Sequence, residues 1–141
     1  MANVRVKIQE LNRINKNNRR YSNECIRDLY DRYKDTVLPV RMLTKATDTN
    51  YAPILGTATI TDFEYPSMTI DCDISDGLTL SMIEKDIGGF GFVCEIDPDS
   101  LILDSLEGDD FGIKKIEKLN YIGYTINPSQ VSTMEIIKDD I

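Results

Sequence analysis

Two runs of alternating side chains, residues 54–64 (ILGTATITDFE) and 67–75 (SMTIDCDIS), flank the dipeptide Tyr65-Pro66. In the second run Met68, Ile70, Cys72 and Ile74 alternate with Thr69, Asp71 and Asp73. Successive strand residues point to opposite faces, so each run has one apolar and one polar side. The pair predicts an antiparallel hairpin with one face on a core.

Residues 3–9 repeat the pattern, with Val4, Val6 and Ile8 set against Arg5, Lys7 and Gln9. They predict another half-buried strand. Residues 10–21 are polar and irregular. Ser22 or Asn23 can cap a helix over about 23–34, where Cys25, Ile26, Leu29, Tyr30 and Tyr33 share one face. Arg27 with Asp31 and Asp28 with Arg32 are i,i+4 pairs on the other face. Residues 37–43 (VLPVRML) predict a strand, and Pro39 assigns it to a sheet edge. Residues 44–53 read as a loop. Residues 78–86 fit either a short helix or a strand. Residues 88–97 (GGFGFVCEID) predict a strand with a bulge or a close backbone approach. A short strand and an acidic loop follow. Residues 113–126 then read as one bent strand broken at Gly123, and 130–141 as a polar tail. Many short strands around one helix predict an α+β domain over 1–141, a small, mostly antiparallel barrel or sandwich with one or two helices as cover.

Composition limits the chemistry. The 141 residues include no histidine. That removes the commonest general base, the Ser-His and Cys-His nucleophile pairs and the commonest metal ligand. A net charge of −8 opposes broad phosphate-backbone binding, so no nucleic-acid partner is expected. No apolar run approaches the roughly 20 residues of a membrane-spanning helix, and MANVRVKIQE does not read as a signal peptide. The three widely spaced cysteines, Cys25, Cys72 and Cys94, predict reduced thiols packed in a core.

The acidic runs at 71–73, 97–100 and 107–110 lack calcium-loop spacing and read as solvated. The glycines of 88–91 lack the Lys-Ser/Thr of a phosphate loop. Neither metal nor cofactor is expected. Arg13, Lys16, Arg19 and Arg20 form at most a small basic patch, and a turn held by side-chain hydrogen bonds accounts for them better.

NKNNRRYS (15–22) resembles the opening motif of tailed-phage prohead (capsid maturation) proteases, Asn-x-Asn-Gly-Arg-x-Tyr-Pro ahead of a helix. Asn15, Asn17, Arg19 and Tyr21 match. Asn18 replaces the glycine and Ser22 the proline, consistent with a left-handed turn and an N-cap. The order of elements over about 3–132 is similar too, through a last strand ending at Pro128-Ser129. The resemblance implies a barrel of prohead-protease type. It also implies a catalytic His after the first helix and a nucleophilic Ser on the glycine-bearing strand. Here 38–44 (LPVRMLT) holds no His and 91–94 (GFVC) no Ser. The expectation is therefore not an enzyme but a virion structural protein: an auxiliary, decoration or capsid-stabilising subunit bound to the major capsid protein and other head proteins, with self-association as a further contact. Seven tyrosines would supply interface anchors. The alternatives are a maturation protease variant using Cys94 and a transient regulator of the active protease.

Overall fold

A computed structural model describes residues 2–13, 19–43, 53–96, 101–103, 111–128 and 130–137. The elements in chain order are β1 (Ala2–Ile8), β2 (Arg19–Tyr21), α1 (Asn23–Tyr33), β3 (Leu38–Met42), β4 (Ile54–Glu64), β5 (Ser67–Ile74), α2 (Gly77–Glu84), β6 (Gly89–Ile96), β7 (Leu101–Leu103), β8 (Phe111–Ile113), β9 (Ile116–Thr125) and β10 (Ser132–Ile137). Seven strands form one mixed, mostly antiparallel sheet in the order β10-β1-β5-β4-β3-β9-β6, and β2-β8-β7 form a second, small sheet. The larger sheet curls into a half-barrel. Its two edge strands approach where the Phe90 N–H donates to Ser132 Oγ at 3.3 Å.

The hairpin forms as its alternation requires. β4 and β5 pair from Gly56↔Ile74 to Glu64↔Ser67. Met68, Ile70, Cys72 and Ile74 are buried, as are Val4, Val6 and Ile8 of β1. Helix α1 begins at Ser22, whose side chain accepts the Cys25 N–H at 3.1 Å. Cys25, Ile26 and Leu29 are fully buried against the sheet. Asp28 and Arg32 pair at 3.0 Å on the outer side.

Several elements depart from the sequence reading. β3 is an interior strand, paired with β4 on one side and β9 on the other. Pro39 is accommodated because the β9 ladder begins only at Val40, so no donor is demanded of it on that side. The stretch 78–86 resolves as helix through Glu84 and a turn beyond it: Asp76 caps α2, accepting the Thr79 N–H at 2.9 Å and the Thr79 hydroxyl at 2.7 Å. These bonds hold the Asp76 carboxyl below its usual range. Gly123 does not break its strand. The break falls at 114–115, between β8 and β9. Part of the expected polar tail forms β10, paired with β1 from Asn3 to Ile8. The irregular stretch 10–21 contains β2 and the fully buried Leu11. Leu11 donates to the Pro66 carbonyl at 3.0 Å and accepts from the Tyr21 N–H at 2.8 Å.

The expected close approach at the glycines is present. Gly88 adopts φ +83°, and a Cβ on Gly89 would stand 2.9 Å from both Pro128 Cγ and Ser132 Oγ. Bulges are present too, where β6 meets β9. Val93 pairs with Tyr121 and Cys94 with Leu119, so Asn120 is extra; Glu95 pairs with Lys118 and Ile96 with Ile116, so Glu117 is extra. A bulge frees backbone groups from the ladder, and α1 catches them. Tyr33 Oη accepts the Leu119 N–H at 3.0 Å. Arg32 donates to the carbonyls of Ile116 and Glu117. Tyr33→Phe would orphan the Leu119 N–H, and we expect a loss of about 1–2 kcal/mol in urea unfolding. The Leu119 amide should exchange faster. An unchanged midpoint with unchanged exchange would show that the hydroxyl does not hold the bulge.

Candidate functional site

Strand β9 lies between β3 and β6, and registers on its two sides bring distant residues together. Arg41 pairs with Gly123, and Gly123 pairs with Gly91. Val93 pairs with Tyr121, two residues before Gly123 and so on the same face. This is the face turned away from the main core, since Ile122, Tyr124 and Phe90 fill the inner side.

The outer face is itself covered in part. Tyr121 is only 2% exposed although it stands outside the main core cluster. The Arg41 guanidinium lies 5.8 Å from its ring centroid, a cation–π contact. The Tyr121 hydroxyl is buried without a hydrogen-bond partner. A Cβ at Gly123 would meet Val93 Cγ2 at 3.1 Å and Leu43 Cβ at 3.3 Å. At Gly91 a Cβ would meet nothing within 4 Å, so that position is open.

Residues 38–43 and 91–94 are the described parts of the stretches in which the resemblance sets the His and the Ser. They flank β9 from opposite sides. Among the described residues, those that meet on the outer face around Gly123 are Arg41, Leu43, Tyr121, Gly91 and Val93. They include no carboxylate, thiol or aliphatic hydroxyl. Among the described residues this set offers no nucleophile with a base to take its proton.

Cys94 belongs to the opposite side. It packs against the core with Phe92, whose ring meets Tyr21 edge-on at 6.5 Å between centroids. Burial pushes the Cys94 thiol up to about 11, with Arg19 pulling partly against it. Burial likewise pushes Cys25 and Cys72 up to about 12. All three are free. Among the described residues no group of three His, Cys, Asp or Glu side chains could hold a metal ion.

Of the motif residues, Asn15 and Asn17, with Asn18, lie outside the described residues. Arg19 and Tyr21 lie on β2, which runs parallel to β8. Tyr21 is 7% exposed and structural: its carbonyl accepts the Tyr65 hydroxyl at 2.7 Å, and burial raises its own phenol pKa strongly. Beside it, Arg20, Ser22, Tyr65, Gly112 and Lys114 line a cavity of about 130 Å³. The acidic runs 97–100 and 107–110 also lie outside the described residues, while Asp71 of the third run is paired with Arg5 at 3.0 Å.

Sequence reasoning missed Arg41 and Tyr121. Both sit in strands that read as one-sided, and nothing local announces that the outer face at β9 is covered as well. Comparison with family models, curated proteins and solved structures returns no match.

Proposed function

We propose that the chain is a non-catalytic, head-associated structural protein of a tailed phage, built on a degenerate prohead-protease-type barrel and bound to the major capsid protein. The observation that carries this reading is the meeting of 38–43 and 91–94 across β9. The resemblance requires its His and Ser stretches to be neighbours, and nothing in the linear spacing makes them so. On this reading Arg41 and Val93, within those stretches, supply neither a nucleophile nor a base. An oxyanion hole without nucleophile and base retains only residual activity.

The Cys94 alternative draws no support from its surroundings, since the thiol faces inward and stays protonated near neutral pH. The tyrosines contribute less than expected, because Tyr21, Tyr121 and Tyr124 are buried. On this reading docking draws instead on exposed apolar side chains such as Val37, Ile54, Leu78 and Ile126.

Purified heads are the test. The protein is expected in mature heads at a fixed ratio to the major capsid protein, and a preparation of the protein should leave scaffold protein uncut. Alkylating Cys94 should change neither result. Presence in proheads with loss from mature heads would identify the transient regulator instead. Scaffold cleavage abolished by alkylation would identify the Cys94 enzyme.

A further inference from the structure

We draw no further inference here: the strongest candidate, the cavity at the start of α1 lined by Arg20, Ser22, Tyr65 and Lys114, carries nothing because its two cationic side chains are exposed, Arg20 is already engaged within the protein, and no second observation in the structure points to an occupant.

Discussion

Gly56→Ala should be among the most damaging single substitutions in this protein. A Cβ at Gly56 would lie 2.0 Å from the carbonyl oxygen of Asp73, 2.9 Å from its carbonyl carbon and 3.0 Å from Ile74 Cα. All three are backbone atoms of the neighbouring strand, so no side chain can rotate away. Gly56 is also where β4 is held from both sides, by Val40 of β3 and Ile74 of β5. Relief requires prising β4 from β5, the pair on which the half-barrel is built. We expect a loss of roughly 3 kcal/mol or more, at the severe end for overpacking. For a domain of this size that corresponds to a drop in Tm of about 10 °C. A change of less than about 2 °C in a thermal melt would mean that β4 and β5 separate easily, contrary to their long ladder.

Phe90→Ala should cost about 3–5 kcal/mol, the range for deleting a buried aromatic ring. Phe90 is fully buried, and its ring centroid lies 5.2 Å from that of Tyr124. Tyr124 in turn donates its hydroxyl to the Ile87 carbonyl, so the cavity would open beside a bonded group that cannot move freely to fill it. The same residue marks the approach of β6 to β10 through Ser132. Ile54→Ala is the matched control: Ile54 is 61% exposed, and its loss should stay within about 0.5 kcal/mol. Chemical denaturation of both variants measures the contrast. Similar losses at the two positions would contradict the assigned core.

The two predictions differ in how far sequence foreshadows them. Phe90 sits in an apolar run that reads as buried strand. Gly56 sits in an alternating run where a glycine has no special meaning until the β5 backbone is set against it. The helix was legible for a local reason: its cap, its apolar face and its Asp28–Arg32 ion pair all lie within one span of chain, while the other expected pair, Arg27 with Asp31, does not form. The edge assignment of Pro39 failed for a non-local one. A proline excludes a donor from one side of a strand, but which neighbour begins where is decided by β9, some eighty residues later. β10 was missed because Ser132–Ile137 gains its strand character from pairing with β1. Its own alternation is weak.

The candidate site divides in the same way. Absence of histidine is a property of the composition, and it removed the common catalytic pairs before any fold was known. The expected resemblance to a phage protease motif rested on Asn15, Asn17, Arg19 and Tyr21, and of these Tyr21 is a core residue tied to Tyr65 and Phe92. The setting of Arg41 beside Tyr121 belongs to cross-strand register. By itself, then, the sequence determined the class of fold, the helix and its cap, the central hairpin and the poverty of acid–base chemistry, because alternation, capping and composition act over a few residues. Only the tertiary structure decided which strands are interior and which faces are covered twice, because these depend on contacts between segments far apart in the chain.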